Sequence, residues 1–156
     1  MNDIGEEEIK VFVDAVGNYF LQIANERAAV RGAYLADGCE RPPTFDYTGL
    51  INVSGRYRGS IYFSAPRILV RRLLYAMHEF QHSDEMLLDA VGEIANTLAG
   101  NARKYFGEFM QISVPITIAG VSDSVAITRR TRPYVIMVDW NQNKASLVVD
   151  LEVAGK

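Results

Sequence analysis

Apolar residues in the first part of the chain, Val11, Ala15, Phe20, Ile23 and Ala24, recur with roughly helical spacing. They predict a helix over residues 6–34, stopped near Asp37-Gly38, after which Pro42-Pro43 forbids helix. The pattern then changes to short runs of strand type, 49–54 and 60–64, with 55–59 as the hairpin connection. Pro66 suits a first helical turn, and 67–80 reads as a second helix. A third follows over 83–107, with Ser83 or Asp84 as N-cap and Glu85 in its first turn. Beyond it, 112–120 (around Pro115), 133–140 and 145–153 are rich in branched and aromatic residues. Asn141-Gln142-Asn143 reads as the turn joining the last two. This order predicts an α+β fold with helices packed on a mostly antiparallel sheet.

At 156 residues and 49% hydrophobic, the chain has enough apolar material for one core, so a single domain over 1–156 is expected. The net charge of −3, with acid and base interspersed, argues against nucleic acid as a main partner. No apolar run approaches membrane-spanning length, and the acidic M-N-D-I-G-E-E-E-I-K start does not resemble a signal peptide. The single Cys39 cannot form an internal disulfide, which fits a reducing compartment, and a cytoplasmic location is expected. In D-G-C-E-R-P-P it reads as an incidental loop cysteine.

The first and third helices share a short echo. Asp14-Ala15-Val16-Gly17 repeats as Asp89-Ala90-Val91-Gly92, and the helix-then-strands order repeats with it, as in a duplicated half-domain. Aligned this way, Asn18 falls at Glu93 and Leu21 at Asn96.

The third helix carries the chemistry worth weighing. Leu88, Val91, Ala95, Leu98, Ala102 and Phe109 line one face, and Asp89, Glu93, Asn96, Gly100, Arg103 and Gly107 the other. Glu93 and Asn96 are three residues apart, so they can reach one target together. A carboxamide is both donor and acceptor and stays neutral, which suits orienting a water. The carboxylate suits a lysine on a partner. One acid and one amide make a poor metal site. Together they fit a reaction whose reactive group and metal come from another molecule, such as phosphoryl transfer. Gly100 costs about 1 kcal/mol against alanine inside a helix, which points to close approach by something large. From spacing alone, an ordinary solvated helix face is the better explanation of the pair, because exposed Glu and Asn are common.

Two other patterns compete. His78-Glu79-Phe80-Gln81-His82 is a literal H-E-x-x-H, which on a continuous helix would bind zinc through both histidines. Against it, these are the only histidines, and Ser83-Asp84-Glu85 starts a new helix directly afterwards. A surface histidine pair at a helix junction is the expected reading. The pairs and clusters Arg71-Arg72 and Arg129-Arg130-Thr131-Arg132 read as solvated faces or turns, and Trp140, Tyr57, Tyr62 and Tyr134 as core or sheet residues. Arg103 and Lys104 flank the acid–amide stripe, as docking cations or as helix C-terminal charges.

Glu93-Ile94-Ala95-Asn96 followed by Gly100 resembles the E-x-x-N-x-x-x-G signature of the CheC/CheX/FliY family of bacterial chemotaxis phosphatases. The surrounding D-A-V-G-E-I-A-N-T-L-A-G-N-A is most similar to the CheX branch, and the P-x-x-x-x-G from Pro115 to Gly120 fits the family as a whole. The resemblance spans nearly the whole chain and implies a pseudo-duplicated αβ domain, with one acid–amide site, that forms a homodimer. It implies hydrolysis of the aspartyl phosphate on a CheY-like response regulator. Asn96 would orient the attacking water and Glu93 would bind a lysine of the regulator. Gly100 would let the surfaces close up, with Asp89 and Arg103 as further docking residues. The chain would need no cofactor of its own, because the regulator supplies Mg²⁺. A catalytically silent regulator-binding module of the same fold is the alternative, and a zinc hydrolase is the more distant one.

Overall fold

The computed structural model describes residues 2–36, 43–120 and 133–154. Cys39, Arg41 and the 129–132 basic cluster therefore lie outside the described residues, as does the Asp37-Gly38 stop. In chain order the elements are β1 (Asn2–Asp3), α1 (Glu6–Ala24), β2 (Ala29–Leu35), β3 (Tyr47–Gly55), β4 (Tyr57–Ala65), α2 (Arg67–Ala76) and α3 (Asp84–Phe106). Then follow β5 (Met110–Ile112), β6 (Ile116–Ala119), β7 (Tyr134–Trp140) and β8 (Asn143–Val153). This is the expected α+β class. All the strand pairs are antiparallel and form one sheet in the order β2-β7-β8-β4-β3-β5, with β6 also on β3 and β1 on β8.

The order carries the duplication. Exchanging β2 with β6, β3 with β7 and β4 with β8 returns the same set of neighbours in reverse, with β8–β4 at the centre. Each half supplies one long helix, then an edge strand for the other half's hairpin, then its own hairpin. Asn141 and Gln142, both at positive φ (51° and 65°), form the two-residue turn of the second hairpin, as the sequence predicts.

Several boundaries differ from expectation. The first helix ends at Ala24, where Asn25 takes the left-handed conformation and donates its N–H to Leu21 O. Residues 29–35, of helix-compatible composition, instead pair with β7, and Arg31 Nε meets Asp139 Oδ2 at 2.7 Å. The predicted 112–120 strand is two strands. Between them Pro115 has no N–H to donate, and Ser113 ties back to β3 through Ser113 N to Asn52 O (2.9 Å) and Asn52 N to Ser113 Oγ (3.0 Å).

The main core lies between the helices and one face of the sheet. Phe12 and Phe20 of α1, Leu69 and Leu73 of α2, and Leu87, Ile94 and Leu98 of α3 are fully buried against Ile51, Ile61, Phe63 and Ile136. Phe20 touches the rings of Phe63 and Trp140 at 6.4 and 5.2 Å between centroids. The opposite sheet face holds a smaller cluster of Ala36, Leu50, Tyr62, Val135 and Val148.

Candidate functional site

The third helix is positioned first by its ends. Ser83 caps it by accepting from Met86 N at 3.2 Å, and Asp84 and Glu85 sit in its first turn against the helix dipole. Asp84 Oδ1 also accepts from Tyr47 Oη (3.0 Å) and Arg67 Nη1 (2.7 Å), which fastens this end to β3 and α2. Asp46 Oδ2 accepts from Arg67 N at 2.8 Å, capping α2 from outside.

Close backbone approach then presses α3 onto the sheet. A Cβ at Gly49 of β3 would stand 2.6 Å from the Val91 carbonyl oxygen, and a Cβ at Gly92 would stand 2.9 Å from Thr117 Cγ2. These glycines serve packing within the chain. Gly100, two turns further on, is different: among the described residues, and its own helical backbone apart, nothing lies within 4 Å of where its Cβ would be.

The buried face of α3 comprises Leu87, Val91, Gly92, Ile94, Ala95, Leu98, Ala99 and Ala102. Leu88 is only half-buried, and Phe109 is not on the helix at all: it follows the Gly107 C-cap and is 61% exposed. On the solvent side Asp89 and Glu93 are exposed, and Asn96 and Gly100 are half-buried. The acid and the amide thus share one accessible stripe, with the bare backbone of Gly100 one turn beyond Asn96.

Arg103 is exposed, but its Nε donates to Met110 O at 2.6 Å, tying the end of α3 to β5. Lys104 is the exposed cation that continues the stripe. Tyr19 of α1 belongs to the surroundings of Glu93 and was not foreseen from the sequence. It is 8% exposed. Its phenol is pushed up to about 12 by burial and, secondarily, by the Glu93 carboxylate. No sequence signal marks it, because its nearness to Glu93 arises from the packing of α1 on α3.

The equivalent stretch of α1 has been remodelled. A Cβ at Gly17 would stand 2.9 Å from Arg27 Nη2, and Arg27 Nη1 donates to Asn18 Oδ1 at 2.7 Å. In the alignment that matches Asn18 with Glu93, Gly100 corresponds to Asn25, the residue at which α1 stops. The first half therefore lacks the acid–amide pair and also the helical turn that would lie beneath a docked surface.

His78-Glu79-x-x-His82 is not on a continuous helix. Helix α2 ends at Ala76, and His78 sits at φ 66°. His78 N donates to Tyr75 O (3.0 Å) and Glu79 N to Leu74 O (2.9 Å), the paired bonds of a Schellman termination. His82 uses both ring nitrogens locally, Nε2 with Glu79 O (2.8 Å) and Nδ1 with Arg71 Nε (3.5 Å). The i, i+4 geometry that zinc requires is absent, and among the described residues no cluster of three or more His, Cys, Asp or Glu could hold a metal ion. No helix among the described residues is long and apolar enough to cross a membrane.

Residues 47–139, more than half of the chain, match the family model described as chemotaxis phosphatase CheX. No curated protein sequence matches. Among solved structures, the chemotaxis protein CheX of Vibrio vulnificus superposes with a TM-score of 0.82 at 19% identity, covering 94% of this chain and 99% of that one. A putative chemotaxis protein of Desulfovibrio vulgaris Hildenborough gives a TM-score of 0.81 at 23% identity, covering 95% and 98%. The CheX of a Borrelia burgdorferi CheX-CheY-BeF3-Mg²⁺ complex gives 0.72 at 15%, covering 93% and 97%. Those likenesses establish the fold, and with the family match they lead to one conclusion: the chain belongs to the CheX family of chemotaxis phosphatases.

Proposed function

We propose that this chain hydrolyses the aspartyl phosphate of a phosphorylated CheY-like response regulator, with α3 as the docking and catalytic element. The carrying observation is Gly100: a glycine on the accessible stripe of α3, whose missing side chain clears space that no described residue uses. A partner surface is the natural occupant. Family membership and the Borrelia complex, which contains CheY, BeF3 and Mg²⁺, support the same partner class.

In this reading the Asn96 carboxamide holds a water in line with the phosphorus. Water oxygen bonds to phosphorus as the bond to the aspartyl oxygen breaks, releasing inorganic phosphate and a free aspartate carboxylate. Glu93 pairs with a lysine of the regulator and fixes the approach, and Asp89 adds a second negative charge on the same row. Arg103 contributes by holding the end of α3 to β5. The Mg²⁺ that offsets charge on the phosphoryl group belongs to the regulator, and this chain needs no cofactor of its own. A homodimer accompanies the reading on the strength of the family resemblance, and a cytoplasmic location on the lone cysteine, which fits a reducing compartment.

The experiment is phosphate release from a phosphorylated receiver domain. Asn96→Ala abolishes the acceleration while the protein stays folded, and Glu93→Ala chiefly raises KM. Saturable binding with an unchanged phosphoaspartate lifetime would instead establish the silent binding module, for which the remodelled face of α1 is a precedent within this same chain.

A further inference from the structure

Four residues of α3 lie along one solvent-facing row: Asp89, Glu93, Gly100 and Lys104. At roughly 100° per residue, Lys104 falls within about 20° of Glu93 after three turns, about 16 Å along the axis. The row is therefore acidic at one end and cationic at the other, with the amide and the bare glycine between. Lys104 takes part in neither of the ion pairs formed among the described residues, Arg31–Asp139 and Arg67–Asp84. Its neighbour Arg103 is already committed to the Met110 carbonyl.

Helical side chains lean toward the N-terminus, so a lysine stem at position 104 can swing back toward the turn that contains Gly100. Position 100 carries no side chain, and no described side chain lies within 4 Å of where its Cβ would be, so the surface N-terminal to Lys104 is open. A flexible four-carbon stem can thus bring a compact, strongly hydrated charge toward the amide end of the row.

We propose that Lys104 is a positioning residue that sets the polarity of docking: the α3 row reads its partner as a dipole, a cation opposite Glu93 and an anionic rim opposite Lys104. The partner that fits is a receiver domain whose phosphorylated carboxyl site places a lysine beside a cluster of negative charge. This rests on the phosphatase reading given above. The plainer role for Lys104 is to complement the negative end of the helix dipole, which predicts an effect on stability and none on docking.

The test measures kcat and KM separately for phosphate release from one phosphorylated receiver, at low and high salt, for Lys104→Ala, Lys104→Glu and Lys104→Arg. The expected result is KM raised about three- to tenfold by alanine and further by glutamate, near wild type for arginine, with kcat within about twofold throughout. The differences shrink as salt rises from about 50 to 300 mM, because an exposed pair is screened. Unchanged KM in all three variants, alongside inactive Asn96→Ala, overturns the role of Lys104 and leaves the phosphatase reading standing. A lower melting temperature with unchanged KM also overturns it, in favour of the dipole role. A wild-type protein without turnover removes the phosphatase reading itself, and this inference with it.

Discussion

The Val91 carbonyl oxygen occupies the space in which Gly49 would carry a side chain, 2.6 Å from the Cβ position. That contact brings the backbone of α3 down onto β3 one residue before Gly92 and two before Glu93. The stripe proposed as the docking face is held by backbone packing from below, and this separates the glycines that pack α3 on the sheet from Gly100, whose side-chain space is open. Gly49→Ala must push the helix outward or bend the strand. It is expected to cost about 1–3 kcal/mol, read as a lower urea midpoint at unchanged slope.

Gly100→Ala should behave in the opposite way. The added methyl meets no described residue within 4 Å outside its own helical backbone, and the helix gains propensity. Stability therefore rises by about 0.4–1 kcal/mol in thermal or urea unfolding. In the phosphate-release assay the same variant should lose activity at least tenfold, through KM, because the methyl stands in the docking interface. A variant both more stable and fully active would show that position 100 faces no partner.

Tyr19 sets an alkaline limit to stability. An unfolded tyrosine loses its proton near 10.0, whereas the folded one holds it to about 12. Below pH 10 both states are protonated and the shift has no effect. Between pH 10 and 12 the unfolded chain alone ionises, so stability falls with rising pH, by about 2–3 kcal/mol in all. Tyr19→Phe should flatten that part of the pH–stability curve measured by urea unfolding. The same loss in the variant would assign it to other groups.

The histidine pair should be dispensable for activity. His78→Ala and His82→Ala are expected to retain wild-type turnover and to leave the protein without stoichiometric zinc in metal analysis. His78→Gly should even stabilise slightly, by up to about 1 kcal/mol, since it relieves a non-glycine residue at φ 66°.

Elements whose signals are local were legible in the sequence. Ser83 caps α3, Asn141 and Gln142 turn the second hairpin, and the acid–amide spacing lies on one helical row. Features decided by tertiary contact were not. Residues 29–35 carry alanine, leucine and arginine that tolerate a helix, and only pairing with β7 makes them a strand. Gly49 and Gly92 show their purpose only once α3 lies on the sheet. The bond from Arg103 to the Met110 carbonyl has no local sign in the sequence, because β5 delivers that oxygen. H-E-x-x-H reads as a histidine pair at a helix junction because Ser83-Asp84-Glu85 starts a new helix, and the Schellman bonds at Tyr75 and Leu74 end α2 before the motif begins. The duplication was visible as four matching residues, and the reversible strand order gives it physical content.

The central claim is that Asn96 makes this helix a catalyst and not only a binding face. The most direct measurement is the phosphoaspartate half-life of a cognate receiver domain, with wild-type protein and with Asn96→Ala, at concentrations that saturate binding. The account predicts a half-life shortened by wild type and returned to the unassisted value by Asn96→Ala, with the variant still bound and folded. Equal shortening by both proteins would contradict it.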